Sequence, residues 1–176
     1  MSFINVEIKA HCPDKELVEK LLKQQEARLV GEDHQVDTYY KVAEGRLKIR
    51  TGNIENSLIF YRRPNETGPK KSDISMYQQT DLTGVKDVLT QALSVWVVVD
   101  KKRRIYFIDN VKFHIDEVKD LGSFVEIEAI DKEGQIGEER LREQVDYYMK
   151  LLSISPKYLQ DKSYSDMIWA LSNKYP

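Results

Sequence analysis

The sequence predicts an α+β protein built around an antiparallel β-sheet. Three observations support this prediction: strand-like segments alternate apolar and polar side chains, most links between them are short, and a few amphipathic helical segments interrupt them. A parallel βαβ fold would need a helix after nearly every strand, and several links are too short for one. About eight strands are expected, and closing them into a barrel would remove the unpaired sheet edges.

The first half of the chain predicts four strands and one helix. The opening stretch FINVEIKAHC alternates strictly, with apolar side chains on one face and Asn5, Glu7 and Lys9 on the other. Asp14 is a suitable N-cap for a helix that runs to about Leu29. Strand-like runs follow in HQVDTYYKV, GRLKIR and SLIFYRR, and the polar segment RPNETGPKKSD predicts a flexible loop.

The second half predicts a helix, a three-stranded meander and two further helices. A strand over 74–79 is followed by DLTGVKDVLTQAL, whose apolar residues recur at helical spacing. The runs VWVVVDKKRRIYFI, VKFHIDEV and SFVEIEAI are separated by turns at 109–110 and 120–122, so they are expected to pair as neighbours. Helical patterns over about 137–152 and 164–171 end the chain.

Size and composition favour one soluble globular domain spanning 1–176. The chain has 32% charged residues but a net charge of only -2, which argues against a generally basic nucleic-acid-binding surface. Its single cysteine, Cys12, excludes an internal disulfide and a thiolate zinc cluster. No apolar run approaches the ~20 residues of a membrane span, and the N-terminus lacks a signal peptide. We therefore expect a cytoplasmic protein without a membrane or nucleic-acid partner.

Charged side chains of opposite sign are segregated on different strands. One face of GRLKIR carries three cations, and one face of VEIEAI carries Glu126 and Glu128. A solvated sheet face is the simpler explanation, but like charges at adjacent positions repel unless a counter-charge is present. Carboxylates suit Mg²⁺ or Mn²⁺, while Lys and Arg suit phosphate oxygens, so a bound metal–polyphosphate would balance both. Phosphate-loop, Rossmann, serine-hydrolase and HExxH motifs are absent from the sequence.

Four segments in order resemble one known family. The family that they resemble is the CYTH superfamily, the triphosphate tunnel metalloenzymes. Within it, the resemblance is to the class IV adenylyl cyclase-like branch, which has thiamine triphosphatase relatives. The segments are NVEIKA, DTYYKVAEGRLKIR, VDKKRRIYFIDNVKFHIDEVKDLGSFVEIEAI and KSYSDM. The resemblance covers nearly the whole chain. It implies an eight-stranded antiparallel β-barrel with flanking helices, whose charged tunnel binds a triphosphate with a divalent metal. Related barrels also pair, so a homodimer is one expectation.

The resemblance implies specific site residues. The expected catalytic residues are Glu7, Lys9, Glu126 and Glu128. The expected metal ligands are Glu7, Glu126, Glu128 and, more weakly, Asn5. Asn5 stands where the family signature has its first glutamate. The expected phosphate ligands are Lys9, Lys48, Arg50, Arg62, Lys101, Arg103 and Lys112. Arg62 and Arg63 are not distinguished by alternation alone. Asp37 is expected to make fold-defining contacts rather than to bind ligand.

The leading functional hypothesis is a Mg²⁺- or Mn²⁺-dependent phosphohydrolase acting on inorganic triphosphate, thiamine triphosphate or a nucleoside triphosphate. Two alternatives stay open. A class IV adenylyl cyclase would use the same cradle to convert ATP to cyclic AMP and pyrophosphate. A non-catalytic polyphosphate-binding module would bind the triphosphate without turnover, with Asn5 marking the loss of catalysis.

Overall fold

The strands predicted by the alternation close into a barrel. The structure, a computed structural model, describes residues 1–173, so the predicted domain limit at 176 lies outside the described residues. Within them, eight strands pair antiparallel in the closed order β1-β5-β4-β3-β2-β6-β7-β8. The strands are β1 (Ser2–His11), β2 (Arg28–Tyr40), β3 (Arg46–Thr51), β4 (Ser57–Arg62), β5 (Lys70–Gln78), β6 (Val95–Ile108), β7 (Val111–Val118) and β8 (Gly122–Asp131). The predicted eight-stranded barrel is thus confirmed.

Four α-helices and a short 3₁₀ helix surround the barrel in the described part of the chain. They are α1 (Lys15–Gln24), α2 (Thr83–Ala92), α3 (Glu138–Leu151), α4 (Tyr164–Ser172) and the 3₁₀ helix Pro156–Tyr158. None of these helices has both the length and the hydropathy that a membrane span needs. Asp14 caps α1 as predicted, because its Oδ1 accepts a hydrogen bond of 2.9 Å from the Leu17 amide.

The predicted boundaries are wrong in two regions, between α1 and β2 and at the start of β5. Helix α1 ends at Gln24 instead of Leu29, because Glu26 takes a positive φ of 55° and the chain enters β2 at Arg28, where it pairs with β6. The last four residues of the predicted loop RPNETGPKKSD belong instead to β5, which begins at Lys70. Pairing with β1 and β4 outweighs the polar composition of this segment, an example of tertiary context overriding local preference.

The main hydrophobic core lies outside the barrel wall, beneath α1 and α3. The outward-facing Val6 and Ile8 of β1 belong to one buried cluster with Leu22 of α1 and Leu141 and Val145 of α3. Burying each such side chain stabilises the fold by about 1.5–3 kcal/mol. Because the apolar faces of the strands are covered by helices, the charged faces are directed into the barrel. This arrangement explains the strict alternation of the first strand.

Helix α4 closes one end of the barrel. Ser163 and Asp166 form a capping box at its N-terminus, which fixes where the helix begins. Tyr164, the first residue of the helix, is buried in a cluster with Val99 and Phe124, and the two aromatic rings lie 5.1 Å apart. The other end of the cavity is open, since the lining side chains there belong to exposed residues, among them Met1, Gln78 and Lys132.

Candidate functional site

A charged cavity of ≈ 310 Å³ occupies the interior of the barrel, a volume at the small end for ligand pockets. In residues 1–173 its wall holds eight lysine and arginine side chains and five carboxylates. The cations are Lys9, Lys48, Arg50, Arg63, Lys101, Arg103, Lys112 and Lys132, and the carboxylates are Glu7, Asp37, Glu55, Glu126 and Glu128. This excess of cations favours an anionic ligand of compact size.

The cavity wall contains all but one of the predicted phosphate ligands, namely Lys9, Lys48, Arg50, Lys101, Arg103 and Lys112. The prediction of Arg62 is wrong. Its side chain is 63% exposed and faces Glu44 outside the barrel, whereas that of Arg63 is 5% exposed and lines the cavity. The inward positions of β4 include Ile59 and Tyr61, so the alternation places residue 63 inside and residue 62 outside.

Asp37 is the centre of one ionic network in the wall. Its carboxylate accepts hydrogen bonds of 2.8 Å from Lys48 Nζ, from Arg50 Nε and from Lys101 Nζ. Burial raises the pKa of Asp37, but Arg50, Lys101 and Lys48 outweigh this effect and hold the pKa well below its ordinary value. Asp37 is therefore ionised and neutralises part of the positive charge that β3 and β6 bring together.

Arg103 is the centre of a second network, near the closed end. Its guanidinium donates to Asp116 (2.7 Å from Nε) and to Glu126 (2.7 Å from Nη2). Glu126 also faces Lys9 Nζ at 3.2 Å and His114 Nδ1 at 3.0 Å. Burial lowers the pKa of Lys9, although Glu126 opposes that shift. Glu126 is thus surrounded by positively charged and hydrogen-bonding partners.

The three predicted acidic metal ligands do not form one cluster. No group of three or more His, Cys, Asp or Glu side chains in the described chain is placed to hold a metal ion. Glu126 is engaged by the Arg103 network, and Glu7 is paired with Arg63. Glu7 and Glu128 are register partners on β1 and β8, and Glu128 accepts a hydrogen bond from the Asn5 amide. Asn5, Glu7 and Glu128 are therefore the oxygen donors that the fold brings together.

Several buried polar atoms in the wall, or beside it in the case of Asn5, lack hydrogen-bond partners among the described residues. They include Nε and Nη2 of Arg63, Nε2 of His114 and Oδ1 of Asn5. Buried polar groups are paired in the great majority of native structures, so each such atom needs an explanation. A bound polyanion would accept hydrogen bonds from Arg63, and a hard cation would suit the Asn5 oxygen.

Sequence reasoning did not assign to the site two acidic side chains of the wall, Asp37 and Glu55, or the buried Asp116 that pairs with Arg103 behind it. Asp37 was expected to be structural, yet it lines the cavity and joins three predicted phosphate ligands. Its position opposite Arg50 in the β2–β3 register could have indicated this role. Asp116 shares the polar face of β7 and accepts a 2.7 Å hydrogen bond from the Tyr164 hydroxyl. Glu55 comes from the β3–β4 loop, where no periodicity predicts its direction.

Lys101 is expected to make stability depend on pH. Burial lowers its pKa to about 7 from the ordinary 10.5, with further lowering by Arg50 and partial compensation by Asp37. Between these two pH values the unfolded chain holds a proton that the folded protein has released. Stability therefore rises with pH across this window, with a slope of up to about 1.4 kcal/mol per pH unit.

Denaturant unfolding between pH 6 and pH 10 measures this effect. Lys101→Met is expected to lose the rising contribution, while the exposed neighbour variant Lys102→Met keeps it. Parallel curves for wild type and Lys101→Met across the window would contradict the assignment of this titration to Lys101.

Known proteins provide a comparison for this fold and cavity. The PH1012 protein from Pyrococcus horikoshii OT3 superposes with a TM-score of 0.79 at 20% identity, covering 92% of this chain and 98% of its own. A candidate adenylate cyclase from Vibrio parahaemolyticus gives 0.79 at 18% identity, covering 94% of this chain and 97% of its own. A candidate adenylyl cyclase from Hippeastrum, described as having a dominant triphosphatase activity, gives 0.58 at 15% identity and covers 98% of both chains. These likenesses show the fold.

Sequence comparison identifies the family. No curated protein sequence matches this chain. The family model of the CYTH domain matches residues 4–161, which include seven of the eight described strands in full, β1 except for its first two residues, and α1 to α3. The chain therefore belongs to the CYTH domain family.

Proposed function

We propose that this protein is a divalent-metal-dependent phosphohydrolase that acts on a triphosphate bound inside the barrel. The observation that carries the proposal is the cavity wall of residues 1–173, in which eight cations exceed five carboxylates and Nε and Nη2 of Arg63 have no hydrogen-bond partner. A triphosphate complexed with one divalent cation carries a small net negative charge, which this excess would balance. The triphosphatase activity described for the Hippeastrum protein supports the same reaction class.

The cations would bind the phosphate chain from several strands at once. Lys9 and Arg63 project from β1 and the end of β4, while Lys101 and Arg103 project from β6 on the other wall. Their ion pairs with neighbouring carboxylates hold them in place before the ligand arrives, so little reorganisation is needed on binding. Phosphoryl transfer depends mainly on such positioning and charge stabilisation, because the transition state spreads charge over phosphate oxygens.

The donor set fits a hard divalent cation that binds together with the substrate. Mg²⁺ is usually held by one or two carboxylates plus substrate phosphates, rather than by an all-protein cage. Glu7 and Glu128 supply two carboxylates on paired strands, and the unpartnered Oδ1 of Asn5 supplies a neutral oxygen. When bound, Mg²⁺ or Mn²⁺ would neutralise phosphate charge and acidify an attacking water. Glu126 would act on the same wall by holding Lys9 and Arg103 in place.

Adenylyl cyclase activity is the second candidate, favoured by the similarity to the Vibrio protein described as a candidate adenylate cyclase. Both reactions would use the same phosphate cradle. They differ in the attacking group, which is water in the hydrolase and the ribose 3′-hydroxyl in the cyclase. Cyclisation would also require a site that holds the base and ribose of ATP.

One assay separates the candidate functions. The purified protein is incubated with Mg²⁺ or Mn²⁺ and, separately, with inorganic triphosphate, thiamine triphosphate and ATP, and the products are resolved. Orthophosphate release that requires the metal is the expected result. Cyclic AMP with pyrophosphate would instead identify a cyclase. Triphosphate binding without any turnover would reject both enzymes and leave a polyphosphate-binding module.

A further inference from the structure

Two buried oxygen atoms on neighbouring strands lack hydrogen-bond partners. They are Oδ1 of Asn5 on β1 and Oγ of Ser72 on β5, and neither has a partner within residues 1–173. The two residues are 0% and 1% exposed. They are direct partners in the β1–β5 register, so their side chains project from the same face of the sheet. Two unsatisfied oxygens that lie side by side in a buried place indicate one shared partner.

The hydroxyl of Ser72 is available to a ligand in the cavity. Ser72 lines the cavity wall together with Ile74, the next inward position of β5. The preceding residue on this face, Lys70, donates its three hydrogen bonds to backbone carbonyls outside β5. The ammonium group of Lys70 therefore does not satisfy Ser72 Oγ.

The side-chain amide of Asn5 is oriented by Glu128. Its nitrogen donates to Glu128 Oε1 on β8. A carboxylate only accepts hydrogen bonds, so the reversed amide would set two oxygens against each other. Strand β1 lies between β8 and β5. The amide nitrogen is thus committed to the β8 side, and Oδ1 stays free for a group that it shares with Ser72.

A hard divalent cation fits this pair of atoms. The amide oxygen of Asn5 has lone pairs but no hydrogen, so it would repel an anion. Amide and hydroxyl oxygens both suit Mg²⁺ or Mn²⁺, and a serine or threonine hydroxyl binds Mg²⁺ in phosphate-loop enzymes. Glu7 and Glu128 lie nearby as register partners on β1 and β8, and their two charges would balance one divalent ion.

We propose that Ser72 Oγ is a further ligand of the divalent cation, next to Asn5 Oδ1. The inference rests on the proposed function, from which it takes the metal requirement. The acidic side chains of the described residues do not form a three-ligand cluster by themselves, so neutral oxygens would complete the donor set. Ser72 would add an oxygen to a site in which an uncharged amide, Asn5, replaces the first glutamate of the family signature.

Titration with Mn²⁺, followed by electron paramagnetic resonance, tests this role. A methylene-bridged analogue of inorganic triphosphate is present, because it cannot be hydrolysed. Ser72→Ala is expected to bind Mn²⁺ at least about tenfold more weakly than wild type. Its affinity for the analogue in metal-free buffer should stay within about twofold. Ser75→Ala is the matched control, since Ser75 is an exposed serine on the outer face of the same strand, and it should keep both affinities.

A second variant gives a readout that a structural role of the hydroxyl would not change. Ser72→Cys replaces the hard oxygen with a soft sulfur, which favours Cd²⁺ over Mg²⁺. Calorimetry with the same analogue should show Mg²⁺ affinity reduced at least about tenfold and Cd²⁺ affinity increased relative to wild type.

Three outcomes would count against these assignments. Unchanged Mn²⁺ affinity in Ser72→Ala, or an unchanged metal preference in Ser72→Cys, would overturn the role of Ser72 and leave a water molecule as the partner of both oxygens. Equal losses of Mn²⁺ affinity and metal-free analogue affinity would overturn it as well, because they would indicate damage to the wall. Failure of wild type to bind Mn²⁺ with the analogue would overturn the metal dependence in the proposed function itself.

Discussion

Replacing Asp37 with asparagine is expected to lower the free energy of unfolding by about 3–5 kcal/mol, because it leaves buried cations without their partner. Lys101 and Arg50 are 2% and 7% exposed, and both donate to this carboxylate. An asparagine retains an acceptor oxygen but carries no charge to compensate them. Loss of the Lys101 proton would relieve part of the penalty, so the effect should be smaller at high pH.

Chemical denaturation of Asp37→Asn and of Asp146→Asn measures this effect. Asp146 is exposed on α3, so its variant should change stability by no more than about 0.5 kcal/mol. Added inorganic triphosphate should stabilise Asp37→Asn more than wild type, because the ligand would replace the missing negative charge. A loss below about 1 kcal/mol for Asp37→Asn would show that the three cations do not depend on Asp37.

Glu128→Gln is expected to reduce metal-dependent turnover by at least about 100-fold. Glu128 has no ion-pair partner in the described part of the chain, and its contact is the uncharged Asn5 amide. The other two predicted carboxylate ligands, Glu7 and Glu126, are paired with protein cations that would compete with a metal ion for their oxygens. Changes in partners that only support a metal ligand already cost about 10–100-fold in affinity or activity, so loss of a ligand should cost more.

The matched control is Glu133→Gln, which removes an exposed acid from the segment after β8 and should leave turnover unchanged. Binding of Mg²⁺ in the presence of triphosphate, measured by calorimetry, should weaken in Glu128→Gln but not in the control. Both variants should keep the thermal stability of wild type to within a few degrees, since Asn5 retains an oxygen partner. Full turnover by Glu128→Gln would remove Glu128 from the metal site.

The faces of the strands could be predicted from the sequence, but the partners of the charged groups could not. Alternation alone placed Lys48, Arg50 and Glu128 on polar faces, and closure of the barrel then turned those faces inward. The Asp37 network joins the β2–β3 hairpin to Lys101 of the distant β6, so the hairpin register could reveal only the part of it that involves Lys48 and Arg50. Glu55 is directed inward by the Asp33 side chain, which is a tertiary contact.

The choice between Arg62 and Arg63 shows how a sequence prediction fails at a strand end. Alternation assigns opposite faces to these neighbours, but it does not say which face is the interior. The strand SLIFYRR has apolar side chains on both faces, because Leu58 packs beneath α2 while Ile59 lines the cavity. Only the register with β3 and β5 identifies the inner face.

The central claim is that inward-facing cations of this barrel bind a triphosphate. Calorimetric titration of inorganic triphosphate into wild type, Arg63→Met and Arg62→Met tests it most directly. We predict one triphosphate site per chain. The affinity for triphosphate should fall at least about tenfold in Arg63→Met, because each charge-assisted hydrogen bond contributes about 1.5–3 kcal/mol. The affinity should be unchanged in Arg62→Met. Absence of binding to wild type, or equal losses in the two variants, would contradict the claim.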